Sequence, residues 1–429
     1  MVMLQSRVAP APESLAWLFD LLFSGAPAVT WAPARALPAG FTRAEQFAVL
    51  PGRSDRTFTV SLASRPGAAS ALTSYNALRS GRTRMARQVL GLGLRTGLAQ
   101  LILRNKVDIG VAAAAAPAQL SDSPLGRHLQ HVFDAGPVTV AIGASGGPYR
   151  KPVLQVFSAS GTPLGYVKVG WNDWTRQAVR REATALRACA ARAMRLGVPE
   201  VIGLTTWRDL DLLVTAPLPP GIRGVGDSLE PDAGLLLEIS ELSPAHHGEL
   251  AASPWWLGIQ SRIQSVATDP GSRTTLIRAA ERLEHGHGRT TMRFGTWHGD
   301  LVPWNLARLA GRLYAWDWET STPDAPLGLD ALHFHFQVAF VARLRPLEHA
   351  VTIAARKARP VLAGLGLTQD ATDLLPALHL IELAVRHEEA RASSGAIDDR
   401  FFPAVMRLLE QIPSRPASPA SPDCPRRPG

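Results

Sequence analysis

The segment TWHGDLVPWNLARLAGRLYAWDWE (296–319) limits what this chain can become more than any other stretch. NLARL and LYAWDW are short strand-like runs joined through Ala310-Gly311-Arg312. A hairpin centred on Gly311 pairs Asn305 with Asp317, bringing an amide oxygen and a carboxylate about 5 Å apart on one face. Such oxygen donors at a strand end suit a hard cation such as Mg²⁺. Asp300 precedes Asn305 by five residues, in a loop between His298-Gly299 and Pro303. It is delivered to the same end of the hairpin, placed to accept a proton from an attacking hydroxyl. Any one of the three alone reads as a turn residue satisfying its own backbone. Together, in one register, they read as chemistry.

A chain of 429 residues exceeds one ordinary domain, and 46% hydrophobic against 19% charged residues excludes wholesale disorder. Cys189 and Cys424 are too few and too distant for a disulfide framework or a structural zinc site. No uncharged apolar run is long enough to predict a spanning helix. Glu13 and Asp20 interrupt the apolar N-terminal run, which argues against a signal peptide, so a cytoplasmic protein is expected. The formal net charge of +9 is unevenly spread. Residues 1–135 carry 14 basic and 7 acidic side chains, residues 136–412 carry 28 of each, and residues 413–429 carry 3 and 1. The stretch containing 296–319 is therefore neutral, and the excess bears only on what the first residues touch.

Residues 413–429 are Pro/Ser-rich without an apolar period and predict a disordered tail. Another break falls at 108–137, where an alanine run (Ala112 to Ala116) gives way to turn-rich sequence. It suggests a boundary, with residues 1–130 forming a mixed N-terminal accessory domain of unknown role. Within it, RTFTVSLAS (56–64) alternates like a strand, and 72–104 reads as helix. That helix carries Arg79, Arg82, Arg84, Arg87, Arg95 and Arg104, with Leu90, Leu92, Leu94, Leu98, Leu101 and Leu103 as its apolar side. The simpler reading is an ordinary surface helix. The other is a basic amphipathic helix on an anionic partner: a membrane, a nucleic acid or an acidic protein.

From residue 138 the pattern changes. VTVAIG (138–143), PVLQVFS (152–158) and YVKVGW (166–171) predict an antiparallel meander. A helix follows from about Asp173, its expected N-cap, to Arg195. VPEVIGL and DLLVTAPL add two strands, and the rest to 412 reads as mostly helical apart from the hairpin. The expected class is α+β in two lobes, strand-rich over 138–218 and helical over 219–412.

HGDLVPWN followed by YAWDWE resembles the catalytic loop and metal-binding segment of the aminoglycoside phosphotransferase and choline kinase group, within the protein-kinase-like fold. His298, Asp300, Pro303 and Asn305 fall at the family spacing, and Asp317-Trp318-Glu319 follows as the family's metal segment does. The resemblance covers about 138–412. It implies that Asp300 is the catalytic base and that Asn305 and Asp317 hold Mg²⁺ bridging the phosphates of ATP or GTP. Asp330 matches a family acid, and reads equally as the N-cap of a helix over 330–343.

The resemblance also asks for a lysine on the third strand paired with an acid on the next helix. Lys168, one of only four lysines beside 41 arginines, sits inside YVKVGW. A compact ammonium suits point contacts to phosphate oxygens, although an edge-strand lysine is the plainer reading. Glu182 falls in the apolar stripe Val179, Leu186, Cys189, where a carboxylate is costly unless paired. A Lys168–Glu182 ion pair resolves both oddities. Gly143 to Gly147 is glycine-rich without the GxGxxG pattern of protein kinases, so Ser145 and Gly146 serve either as phosphate contacts or as plain turn residues. Backbone groups near Ala216 and Leu218, in VTAPLPPG, would hold adenine if the resemblance holds.

Gly299 before Asp300, and Trp318-Glu319 after Asp317, depart from protein kinases and point to small hydroxylated acceptors: an aminoglycoside, a sugar or an amino alcohol. Residues 224–261 hold six acids and no Lys or Arg, either an acidic wall for a cationic acceptor or a solvated helix face. His246-His247 and His333-Phe334-His335 do not present two imidazoles on one helix face and read as surface or core histidines. The expected function is transfer of the γ-phosphoryl group to a small-molecule hydroxyl. The rivals are a nucleotide-binding protein of the same fold without transfer activity, and a basic N-terminal interaction module regulated by the kinase-like part, making peripheral membrane or protein contact.

Overall fold

The computed structural model describes residues 12–24, 28–50, 56–74, 78, 81–113, 123–145, 151–192, 194–226, 229–266, 270–394 and 401–411. The chain divides into two compact units, Met1–Leu229 with Pro303–Ser321 and Glu230–Val302 with Thr322–Gly429. Its class is α+β.

The first unit runs α1 (Pro12–Phe23), β1 (Val29–Pro33), β2 (Phe41–Leu50), β3 (Arg56–Ser61), α2 (Arg65–Thr73), α3 (Gly81–Thr96), α4 (Leu98–Ile102) and β4 (Lys106–Ala112). It continues with α5 (Pro124–Val132), β5 (Val138–Ser145), β6 (Val153–Ser158), β7 (Pro163–Gly170), α6 (Asp173–Ala191), β8 (Val201–Trp207), β9 (Leu210–Thr215) and the short β10 (Arg223–Gly224). Nine strands form one sheet in the order β1-β4-β2-β3-β5-β6-β7-β9-β8. β3 pairs directly with β5, Thr59 opposite Ile142.

Strands on both sides of the boundary expected at 108–137 thus share one sheet. The segment links two strands of one sheet, and turn-rich sequence looks the same whether it joins strands or domains. One face of the sheet carries a continuous core in which Leu18, Phe19, Leu22 and Phe23 of α1 pack with Phe47, Ile109, Val140, Val156, Val167 and Val214. The opposite face is covered in part by α2 and α3 and in part by α6, whose Val179 and Ala183 pack on Leu213.

The long helix expected over 72–104 is three pieces. Gly97, at φ +88°, ends the run that α3 begins. The expected cap of α6 also shifts by one residue. Asn172 accepts from the Thr175 amide, and Thr175 answers to the Asn172 backbone, forming a capping box.

The second unit opens with α7 (Ala233–Ser240), β11 (His246–Glu249), α8 (Pro254–Val266), α9 (Pro270–His287) and β12 (Thr291–Trp297). The chain then returns to the first unit for β13 (Leu306–Leu309) and β14 (Arg312–Ala315). The second unit resumes with β15 (Thr322–Pro326), α10 (Leu329–Gln337), α11 (Leu347–Gly364), α12 (Gln369–Ser394) and α13 (Phe401–Glu410). Its sheet, β11-β12-β15, is absent from the sequence reading. Histidines fill β11 and two prolines lie in β15, so neither shows apolar alternation.

The hairpin register also differs by half a step. Leu309 faces Arg312 and Leu306 faces Ala315, so the turn is the two-residue Ala310-Gly311, both at positive φ. Asn305 consequently stands opposite Trp316, whose amide donates to the Asn305 carbonyl at 3.2 Å, and Asp317, the expected partner, lies one residue beyond.

Candidate active site

The first unit gathers carboxylates around one ammonium. Val167 and Val169 point into the core of one sheet face, so Lys168 between them points to the face that α6 covers. Its strand lies between β6 and β9, which removes the edge-strand reading. On α6, Glu182 shares the buried stripe with Val179, Ala183 and Leu186. Lys168 Nζ donates to both Glu182 carboxylate oxygens at 2.7 Å and also to Asp317.

Asp317 reaches this point because the chain turns sharply after β14. The residue adopts the left-handed conformation (φ 66°, ψ 51°), and a single 3₁₀ turn follows with Trp318 fully buried. Gly197 sets the depth of the hairpin. Its amide donates to Leu313 O at 2.7 Å and its carbonyl accepts from Ala315 N at 2.9 Å. A β-carbon there would lie 2.4 Å from the Tyr314 ring.

Glu319 adds a third carboxylate, and one oxygen each from Glu182, Asp317 and Glu319 lies within 4.8 Å of the others. Lys151 donates to Glu319 and sits 5.2 Å from the Trp174 ring. Two of the chain's four lysines thus serve this cluster, and sequence reasoning found only one. Burial alone would lower the Lys168 ammonium, but Asp317, Glu182 and Glu319 outweigh it and hold it well above the ordinary range. Burial pushes the Glu182 carboxyl up, against the pull of Lys168.

The donor set fits a hard divalent ion, since carboxylate oxygens are what Mg²⁺ takes. Asp317 and Glu319 would hold it, with Glu182 kept on Lys168. The Asn305 side chain is buried at the end of its own 3₁₀ turn, Pro303–Asn305.

The other expected nucleotide contacts are less gathered. Ser145 ends β5 opposite Arg56. Gly146 lies outside the described residues. The Ala216 amide donates to Glu200 O at 2.8 Å, which extends the strand ladder and takes that donor away from a nucleobase. Leu218 lies half-buried in coil after β9.

The second unit holds the loop that carries Asp300. Asp330 is not the cap of α10, since Gly328 takes that place at φ +106°. The buried Asp330 carboxylate instead accepts the amides of His298 (2.8 Å) and Gly299 (3.0 Å). From α12, Arg386 donates to Gly299 O at 2.8 Å while lying 4.5 Å from the Trp297 ring. Gly299 itself is at φ +79°, where a side chain is disfavoured. The loop backbone is clamped by opposite charges on its donors and its acceptor. Glu382 accepts from Arg386 (2.6 Å) and Arg262 (2.9 Å), fixing the cationic half of the clamp.

Asp300 then meets a histidine chain. Its Oδ1 lies 3.2 Å from His333 Nε2, and His333 Nδ1 lies 3.2 Å from His379 Nε2. Burial would raise the Asp300 carboxyl, but the His333 hydrogen bond and charge, helped by His298 and Arg386, hold it below its ordinary value. An ionised Asp300 only accepts, so His333 Nε2 carries a proton. When His333 is neutral its Nδ1 is an acceptor, so His379 Nε2 donates. Burial, then the nearby His333 and Arg386, keep His379 well below the ordinary imidazole value, so it is neutral.

His333 and His335 are indeed buried, but His333 belongs to the Asp300 environment. The signal was present: Asp330 and His333 stand three apart on α10 and share a face. Of the acids of 224–261, Asp232 caps α7 and Glu230 pairs with Lys357.

No family model matches the chain, and no curated protein matches it. Solved structures do. Choline kinase LicA from Streptococcus pneumoniae shares 13% identity at a TM-score of 0.39, over 61% of this chain and 88% of that one. A thermostable mutant of aminoglycoside phosphotransferase APH(4)-Ia shares 13% at 0.44, over 66% and 98%. The GDP complex of wild-type aminoglycoside 2'-phosphotransferase-IIIa shares 14% at 0.37, over 62% and 90%. The chain is similar to aminoglycoside phosphotransferases and choline kinase.

Proposed function

We propose that this chain is a small-molecule kinase that transfers the γ-phosphoryl group of ATP or GTP to a hydroxyl of an amino-sugar, sugar or amino alcohol. The observation that carries this reading is the Lys168 ammonium, bonded to Glu182 and Asp317 with the Glu319 carboxylate nearby. A buried lysine with that many acids suits a polyanion and its cation, since phosphate oxygens and a divalent ion can share those charges. A bound Mg²⁺ would offset charge on the phosphates. Glu182 orients Lys168, Lys168 binds phosphate oxygens, and Lys151 can turn from Glu319 toward them.

Asp300 is the proposed base. Held ionised, it accepts the hydroxyl proton as the oxygen attacks, while His333 keeps its second oxygen aligned. Catalysis is then mostly positioning and electrostatics. The motif HGDLVPWN supports the role given to Asp300, and DWE supports the metal role given to Asp317.

The test is ADP or GDP release with Mg²⁺ and a panel of amino-sugars, sugars and amino alcohols. Asp300→Asn should lower transfer by about 10²–10⁴ while nucleotide binding persists. Binding without transfer to any acceptor, unchanged by Asp300→Asn, would leave the non-catalytic rival standing.

A further inference from the structure

The outer face of α3 and α4 is apolar where an ordinary surface helix is polar. Met85, Val89 and Leu92 follow one another at i, i+4 and i+7 on α3, and they are 63%, 66% and 65% exposed. Leu98, Leu101 and Ile102 of α4 are exposed too, with Leu101 at 84%. The sequence reading puts Leu92, Leu98 and Leu101 on one apolar side with Leu90, Leu94 and Leu103. The structure divides them, and the inner side is taken by Leu90, Gly91 and Leu94, because α3 lies close against the alanine-rich α2.

Arg87 fixes that orientation. It turns inward, donates to Leu72 O (2.8 Å) and Ala71 O (3.1 Å) at the end of α2, and lies 5.3 Å from the Phe58 ring. With Arg87 locked inside, the Met85–Val89–Leu92 stripe has no choice but to face outward. On a helical projection, Arg82 flanks that stripe on one side and Arg84 and Arg95 on the other, all three exposed.

The charge is one-sided as well. Between Asp55 and Asp108 the sequence contains nine Lys and Arg and no acid. We propose that this face docks on an anionic lipid surface, the aliphatic stripe entering the headgroup boundary and the flanking arginines meeting lipid phosphates. The composition selects this partner. A nucleic acid would engage the arginines and leave six large aliphatic side chains in water. A second copy of the chain, meeting this face by two-fold symmetry, would set arginines against arginines. Protein-binding faces are centred on aromatic anchors, and the exposed apolar side chains here are Met, Val, Leu and Ile.

The experiment is co-sedimentation of the full chain with phosphatidylcholine vesicles, with and without phosphatidylglycerol. The protein should bind the anionic vesicles, weaken as salt rises, and ignore the neutral ones. Arg82→Gln with Arg84→Gln and Arg95→Gln should weaken binding on the order of a hundredfold. Met85→Ser with Val89→Ser and Leu92→Ser should weaken it at least about tenfold. Both triple variants should melt at the wild-type temperature, because none of the six side chains is buried. Equal binding to both vesicle types would overturn the proposal. So would no binding at low salt, binding unmoved by the serine variant, or duplex DNA or self-association displacing vesicles as the tighter partner.

Discussion

His333 Nε2 and Asp300 Oδ1 lie 3.2 Å apart, with His379 the same distance behind His333. His333 is thus a positioning residue for the proposed base. Removing it should raise the Asp300 carboxyl toward its ordinary value. The base works ionised, so the acid limb of the kcat/KM profile should move to higher pH in His333→Ala, with kcat down about tenfold. His333→Gln keeps an N–H donor and should recover part of both. A profile that keeps its limb in His333→Ala would reduce the residue to packing.

Lys168 and Glu182 should show strong coupling. Lys168→Met leaves a buried carboxylate beside two others and should cost about 3 kcal/mol in urea unfolding. Adding Glu182→Leu should recover most of that loss, because the orphaned charge is gone. If the two substitutions simply add, the ion pair has no stabilising role.

Glu382 makes the second unit acid-sensitive. Burial would raise its carboxyl, but Arg262 and Arg386 pull it down to about 2, from an ordinary 4.5. The unfolded chain takes up the proton first, so this stabilisation is complete above pH 4.5 and is lost as pH falls toward 2. Glu382→Gln should cost about 3 kcal/mol at neutral pH and flatten the stability profile across that window. It should also loosen Arg386 from the Gly299 carbonyl, so transfer should fall with it.

His335 works in a neighbouring window. Burial, the largest influence, lowers its imidazole to about 4; Glu230 opposes this and Lys357 assists it. Between pH 6.5 and 4 the unfolded chain binds a proton that the folded chain refuses, so stability should climb with pH across that range. His335→Phe should abolish the climb. Thermal melts at several pH values, wild type against variant, decide it.

How much of this was readable beforehand follows from what kind of information each feature needs. Lys168 and Glu182 were visible because each breaks a local pattern, a charge inside an apolar strand or stripe. Asp300 was visible because the motif is contiguous. The hairpin register slipped because a two-residue and a three-residue turn differ by one glycine-tolerant position. Arg262, Glu382, Arg386 and His379 were hidden because their meaning comes from helices far apart in sequence, and nothing near them is unusual. The outward stripe of α3 was legible only in part: the sequence grouped Leu92 with Leu90 and Leu94 as one apolar side, and a row of leucines does not show how the inward turn of Arg87 sets the helix.

The shared ladder between β3 and β5 bears on any truncation of the chain. Those two strands seal each other, so a shortened form starting near residue 131 would expose a bare row of amides and carbonyls along its first strand. Such a fragment would recruit foreign strands and precipitate. Expression of residues 131–429 beside the full chain would show that loss of solubility.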